Sequence, residues 1–404
     1  MTRLETAVYQ QAAICVGKGP RGLLATGRQR TKARCVAQAS PVTPFPPLPR
    51  ADRRTRLQTN LLDWFQTAKR DLPWRRIQDP YGIWISEAML QQTRVATVID
   101  YWVAFMSTFP TVESLAEASE QQVLASWSGL GYYSRARSLR KAAQGIVADH
   151  GGQFPRERRA ALDLPGVGEY TAGAVLSIAY DLPEALVDGN VERVLTRVFG
   201  LRAASGSAPL RKHAWKLASH CLASSQPGDW NQALMELGAL ICTPGEPNCG
   251  ECPWSRLCVA RKRGEAAQWP SPKPRRKSVD VKIESICMVY DGRIALIKRP
   301  EGGSMAGLWE LPTKQASSPG ASALWPESWP NGLRVSAKTP LFQAKHAITH
   351  HRIIMSVLSG QDGAKSAAND SDGMRWFRWE DLGDLGLTGL TRKAVAHLAP
   401  LPRE

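Results

Sequence analysis

The stretch Leu164-Pro165-Gly166-Val167-Gly168, followed by Glu169-Tyr170-Thr171-Ala172-Gly173-Ala174, decides how this chain is read. Gly166 and Gly168 let the backbone come close to a phosphate, and the helix that starts after them offers unpaired N–H groups at its N-terminus. A contact of that kind fixes position without reading bases. Taken alone, the turn is equally an ordinary glycine connection between two helices. Its neighbours narrow the choice. Downstream, Val187-Asp188-Gly189-Asn190-Val191 presents an aspartate that suits either a helix N-cap or a chemical carboxylate. Beyond it, Cys242, Cys249, Cys252 and Cys258 follow the spacing C-x6-C-x2-C-x5-C. Four thiols in so short a run point to a metal or cluster site before a disulfide framework. Zinc ribbons carry two C-x2-C pairs and this run has one, so a [4Fe–4S] cluster stands as the alternative to zinc.

The bulk numbers agree with a folded, anion-binding protein. A chain of 404 residues suggests two domains plus tails, and a hydrophobic content of 43% is enough for a core in each. There is no apolar run of about 18 residues, so no helical membrane span is expected. The formal net charge is +16, which implies a polyanionic partner, most simply nucleic acid. Residues 1–50 carry eight Lys/Arg and one Glu, yet +9 remains on the rest of the chain. This first segment lacks periodicity, ends in a Pro-rich run and reads as a disordered basic tail. It is Arg-rich and acid-poor, as transit peptides are, and a basic bacterial tail fits equally. The bacterial reading puts the chain in the cytoplasm with the nucleoid; the other sends it to an organelle. The remaining cysteines, Cys15, Cys35, Cys221 and Cys287, are scattered, which suits a reducing compartment.

Residues 51–263 have helical periodicity: Leu57, Leu61, Leu62 and Phe65 share one face, as do Val123, Leu124, Trp127 and Leu130. Residues 264–277 are Pro-rich and basic and read as a linker. From 278 to 404 the pattern changes to strands. Val279, Val281 and Ile283 alternate with polar residues, an apolar run follows through Val289, and Asp291-Gly292 turns into a second strand at Ile294–Ile297. The fold class is therefore a mainly α region followed by an α/β domain.

Upstream of the hairpin, Leu72-Pro73-Trp74-Arg75 precedes Asp79-Pro80-Tyr81-Gly82-Ile83-Trp84-Ile85-Ser86-Glu87-Ala88-Met89-Leu90-Gln91-Gln92-Thr93-Arg94-Val95. Glu87 lies in an apolar helical setting. A carboxyl buried in such a setting has its pKa raised and can serve as a general acid near neutral pH. Hairpin, aspartate and cysteine loop, in that order, resemble the helix–hairpin–helix base-excision glycosylases with an iron–sulfur cluster. The Glu87 segment is similar to that of the MutY family of adenine DNA glycosylases, and the resemblance runs from about Leu57 to Cys258.

The resemblance implies roles. Glu87 is the catalytic acid, and Asp188 stabilises or traps the sugar cation as a carboxylate does in retaining glycosidases. Tyr170 and Asn190 support Asp188 by hydrogen bonding. Tyr170 stands where the endonuclease III relatives carry a Schiff-base Lys, and Glu192 where some family members carry another, so a monofunctional enzyme is implied. Gln92 and Tyr132 enter the duplex; Thr93, Leu130, Gly166 and Gly168 contact DNA; Arg70, Trp74, Leu90, Val95 and Gln232 form the base pocket. Cys242, Cys249, Cys252 and Cys258 hold a [4Fe–4S] cluster, flanked by Arg256, Arg261, Lys262 and Arg263. The C-terminal domain resembles the Nudix fold through Gly302–Pro312 but lacks the magnesium-binding R-E-x-x-E-E run. Its Ile348-Thr349-His350 stands where the family reads the lesion, with Thr349 and His350 as DNA contacts. The implied partner is double-stranded DNA holding A opposite 8-oxoguanine or G, bound by a monomer.

Overall fold

The computed structural model describes residues 45–272, 277–317, 324–329, 333–361 and 373–399. Most of the N-terminal tail, up to residue 44, and residues 273–276 of the linker lie outside these. The last tail residues are packed: the Phe45 ring stacks on His213 with centroids 4.7 Å apart, and Pro49 O lies 2.9 Å from His220 Nε2.

Helices carry the chain through residue 262: α1 (Ala51–Ala68), α2 (Pro80–Leu90), α3 (Val95–Thr108), α4 (Val112–Glu117), α5 (Glu120–Ser126), α6 (Ser134–His150), α7 (Arg158–Asp163), α8 (Glu169–Tyr180), α9 (Gly189–Phe199), α10 (Ala208–Cys221), α11 (Pro227–Leu240) and α12 (Val259–Lys262). α1 buries Leu57, Leu61 and Phe65, the face its spacing predicts, and leaves Leu62 half-buried. α2 differs. Asp79 caps it by accepting from the Tyr81 and Gly82 N–H groups, Pro80 opens it, and every side chain from Tyr81 to Met89 is buried. A helix apolar on all sides belongs at a centre, and α2 packs against α3, α6 and α8. A carboxylate on such a helix is held largely away from water.

Two cores fill the helical region. One gathers α2 to α6, and the other gathers α1 with α9 to α11. α8 joins them, giving Ala172 and Val175 to the first and Ala174 to the second. Residues 264–272, read as linker, are partly built into the second core. Trp269 is 9% exposed there, its carbonyl accepts from Arg197 Nε at 2.8 Å, and Ser271 bridges to Ala204. Burial of the indole outweighs the Pro-rich, basic composition around it.

The C-terminal region holds two sheets. One has the order β5-β1-β7-β6, with β1 (Val279–Cys287) parallel to β7 (His351–Ser359) and antiparallel to β5 (Thr313–Ser317); β6 is Phe342–Ile348. In the other, β3 (Arg293–Lys298) lies among β2 (Val289–Tyr290), β4 (Trp309–Glu310) and β8 (Met374–Arg378). α13 (Gly389–Leu398) covers the core with Leu390 and Ala394. The hairpin expected at Asp291-Gly292 is present, with φ of 47° and 70°, as a two-residue turn requires. The first strand does not run on to Val289. It breaks at Met288, so β1 and β2 serve different sheets.

Candidate active site

A cavity of about 180 Å³ opens where the two helical cores meet. Its walls include Glu87 and Leu90 from α2, Tyr170 from α8, Gln232 and Glu236 from α11, and Asp188 and Asn190 at the start of α9. Arg70, Trp74, Thr93 and Val95 line it as well, as does Arg75. Residues expected in the base pocket and the expected pair of carboxylates therefore share one space.

Glu87 is 4% exposed, and its carboxyl is pushed up to about 7. Burial is the main cause; the Tyr170 hydrogen bond opposes it, the nearby Asp188 charge adds to it, and Arg75 opposes it. Asp188 Oδ1 accepts from the Val191 N–H at 2.7 Å and caps α9. It is thus an N-cap and a wall of the cavity at once. Its pKa is raised by burial, against the pull of the Val191 N–H, the Arg193 charge and Asn190. Asn190 also accepts from Arg193 Nη2 at 2.9 Å, which fixes its amide.

Tyr170 was expected to bond Asp188. Its hydroxyl instead donates to Glu87 Oε2 at 2.5 Å and lies 3.2 Å from Met235 Sδ. The reason is topological. Tyr170 leaves the first turn of α8, which packs on α2, so the α2 carboxylate is the one within reach. Burial, with the charges of Glu87 and Asp188, raises the phenol well above its ordinary value and keeps it a donor. Glu192 is buried and accepts from the Gly206 N–H at 2.8 Å, a structural use.

A further buried carboxylate, not foreseen from the sequence, also lines the cavity. Glu236, 1% exposed, accepts from Arg70 Nε at 2.7 Å and Nη2 at 2.8 Å, and from Arg75 Nη2 at 3.0 Å. Burial acts to raise this carboxyl, but the two arginines outweigh it and hold it at about 2. Arg70 thus lines the cavity with part of its guanidinium already committed. Arg75 Nε donates to Gln232 Oε1 at 3.1 Å, so the Gln232 amide nitrogen is left to donate elsewhere.

The hairpin joins α7 to α8. Gly166 has φ +81°, and a Cβ there would stand 2.6 Å from Ser138 Cβ, so this position needs glycine. Gly168 has an ordinary φ of −98° and nothing within 4 Å of a Cβ. Its value is open space before an α8 N-terminus that no side chain caps. Gln92 and Tyr132 are exposed and have positive φ, 61° and 49°. Such backbone costs about 1–3 kcal/mol and gathers at functional sites. Leu130, expected at the DNA surface, is 6% exposed and belongs to the first core. Its apolar side chain turns inward while the polar loop around it stays out.

Cys242, Cys249, Cys252 and Cys258 line one small apolar cavity behind α9 and α11, with Arg197 beside them. Among the described residues, no three His, Cys, Asp or Glu side chains are grouped to hold a single metal ion. Burial, with the other three cysteines adding, pushes the Cys252 thiol up to about 12. In the C-terminal region, Thr349 and His350 form the two-residue turn between β6 and β7. Thr349 is exposed with φ 55°, a rare conformation for a β-branched residue. Glu310, the carboxylate within Gly302–Pro312, is spent on Arg299 at 2.8 Å and Trp325 at 3.1 Å.

Comparison with known proteins matches this geometry. Residues 85–220 match the HhH-GPD superfamily base excision DNA repair protein model, and residues 285–397 match the NUDIX domain model. The adenine DNA glycosylase of Rattus norvegicus is 36% identical over 415 residues, covering 88% of this chain and 80% of that protein. That of Homo sapiens is 35% identical over 382 residues, covering 80% and 70%. A solved thermostable thymine-DNA glycosylase is 32% identical and covers 52% of this chain and 98% of its own, with a TM-score of 0.48. With cavity, hairpin and sheets as described, the chain is a DNA-binding glycosylase of base-excision repair, a hydrolase acting on N-glycosyl bonds, and it belongs to the adenine DNA glycosylase family.

Proposed function

We propose that the chain excises adenine mispaired with 8-oxoguanine or guanine in double-stranded DNA and leaves the strand uncut. The observation that carries this reading is the buried Glu87 carboxyl, held near neutrality by burial, in one cavity with Asp188. An adenine turned out of the stack loses stacking worth roughly a few kcal/mol, and the cavity takes it in. Adenine leaves poorly as an anion. Glu87 gives a ring nitrogen its proton as the N-glycosidic bond breaks and the electron pair moves to the base. Asp188 faces the positive charge that develops on the sugar. Water then adds to the sugar carbon, and its released proton restores Glu87. The Gln232 amide nitrogen donates to the bound purine. No lysine is among the residues that line the cavity, so no Schiff base forms and strand cleavage does not follow.

The four cysteines fit a [4Fe–4S] cluster. All four line one small cavity, and four thiolates are the ligand set such a cluster takes. Held there, the group would brace the loop, and the exposed Arg256, Arg261, Lys262 and Arg263 of that loop offer their charge to phosphates. In the C-terminal domain, the Thr349 hydroxyl accepts from the N7–H that 8-oxoguanine has and guanine lacks.

The test is a duplex with a single A opposite 8-oxoguanine, incubated with the monomeric enzyme. Strand breaks that need alkali are expected. Breaks without alkali, or none in either case, overturn the reading.

A further inference from the structure

The loop that carries Tyr132 is gripped from two sides. On one side is Arg135. Its guanidinium lies 5.5 Å from the Tyr132 ring centroid, and its Nη2 donates to Leu130 O at 3.3 Å and Gly131 O at 3.2 Å. Its Nη1 lies 2.7, 3.0 and 2.8 Å from the carbonyl oxygens of Ala88, Met89 and Gln91. Those carbonyls close α2, the helix of Glu87, and lead into Gln92. On the other side is Arg392 of α13, in the C-terminal domain. Its Nη1 donates to Ser128 O at 2.8 Å, and Tyr101 Oη donates to the same carbonyl at 3.0 Å. The fit is close. A Cβ at Gly129, where φ is +111°, would stand 2.1 Å from Tyr101 Oη and 3.2 Å from Arg392 Nη1.

We propose that Arg392 is a positioning residue through which the C-terminal domain holds the Tyr132 loop in its duplex-entering form, so that lesion reading is coupled to base extrusion. The proposal rests on the reading of Tyr132 as the side chain that enters the duplex. The Ser128 carbonyl precedes Gly129, whose backbone turns the chain toward Tyr132. Fixing that carbonyl selects one loop conformation, and Tyr132 is held at a positive φ that an unsupported residue would leave. Arg135 continues the path to α2, so contacts run without a gap from α13 to the Glu87 helix. Docking does not depend on Arg392 alone. Gln121 Nε2 donates to Gly307 O at 3.0 Å and Arg137 Nη1 to Ala306 O at 2.5 Å, which keeps the two regions together when Arg392 is removed.

The test uses the full chain with Arg392→Ala, Arg392→Lys, Tyr132→Ala and the Arg392→Ala/Tyr132→Ala pair. Single-turnover excision is measured opposite 8-oxoguanine, and 2-aminopurine fluorescence at the target position reports extrusion. Arg392→Ala should slow both by about fivefold, less than the full worth of a charged hydrogen bond because Tyr101 still holds the Ser128 carbonyl. Arg392→Lys should restore most of the rate, the melting temperature should stay at the parent value, and the pair should be no slower than Tyr132→Ala. Parent rates in Arg392→Ala, or losses that multiply in the pair, overturn the proposal. So does a lowered melting temperature with no rescue by Lys. If Tyr132→Ala itself leaves extrusion unchanged, the reading of Tyr132 falls and the proposal with it. If Tyr132→Ala is slow and Arg392→Ala is not, the proposal alone falls.

Discussion

Two glutamates that line one cavity are driven in opposite directions. Glu87 and Glu236 are both almost wholly buried, at 4% and 1% exposure. Burial raises each carboxyl, yet Glu87 stands at about 7 and Glu236 at about 2. The difference lies in their partners. Glu236 receives two guanidinium groups in direct hydrogen bonds, whereas Glu87 receives one neutral phenol and faces a second carboxylate. Burial alone therefore does not make an acid. A buried carboxyl becomes a proton donor near neutral pH where no cation bonds it directly, and here Arg70 and Arg75 bond Glu236 instead.

The largest effect should come from Glu87→Gln. On the mechanism proposed, it removes the proton and keeps the shape, so excision should fall by about 10²–10⁴-fold with mispair binding retained. Parent-rate excision by the variant would falsify the assignment of the acid. The same change should also be tolerated by the fold. Because the folded-state pKa of Glu87 is raised, its contribution to stability is full below the ordinary carboxylate range and is lost as pH rises through about 7. Glu87→Gln should therefore melt no lower than the parent at pH 8.

Glu236→Gln tests the other glutamate and should do the reverse. It leaves Arg70 and Arg75 without their anion, and breaking a buried pair costs about 3 kcal/mol, or about 6–12 °C in melting temperature. With its lowered pKa, Glu236 contributes stability above the ordinary carboxylate range and loses it only as pH falls toward about 2. A Glu236→Gln melting curve that overlays the parent at pH 7 would show that the arginines do not depend on this carboxylate.

The contrast between the two glutamates also shows what the sequence could tell. The hairpin, the Glu87 helix, the cap at Asp188 and the cysteine run are local patterns, each complete within a few residues. The expected fold class and the two carboxylates follow from them, while Arg70, Trp74, Leu90, Val95 and Gln232 come only from the family resemblance. Glu236 is different. Nothing in Trp230–Leu240 distinguishes it from an ordinary helix carboxylate, because its partners Arg70 and Arg75 lie 166 and 161 residues away. Tyr170 was given the wrong partner for the same reason: the packing of α8 on α2 decides which carboxylate its hydroxyl meets. At Trp269, linker composition pointed outward, and burial of one large apolar group decided otherwise; Leu130 follows its apolar spacing with Val123, Leu124 and Trp127 into the core and not the DNA contact that the resemblance implies.

The smallest expected effect is the most discriminating. Tyr170 donates to Glu87, and a hydrogen bond to the charged form of an acid favours that form. Tyr170→Phe removes the donor and keeps the ring. The Glu87 carboxyl should then hold its proton to higher pH. With Glu87 as the acid, single-turnover excision is highest below about 7 and falls as pH rises through that value. In Tyr170→Phe the falling limb should move to higher pH by about half to one unit, the worth of one net hydrogen bond. At pH 6, where Glu87 is protonated in both proteins, the rates should differ by less than about threefold. A limb that moves to lower pH would mean that the phenol bonds the protonated acid, and a limb that stays in place would mean that it does not act on Glu87 at all. The second result would return Tyr170 to the Asp188 side of the cavity. Glu87 would then be set by burial, Asp188 and Arg75, and the two glutamates would differ only in which of them the arginines bond.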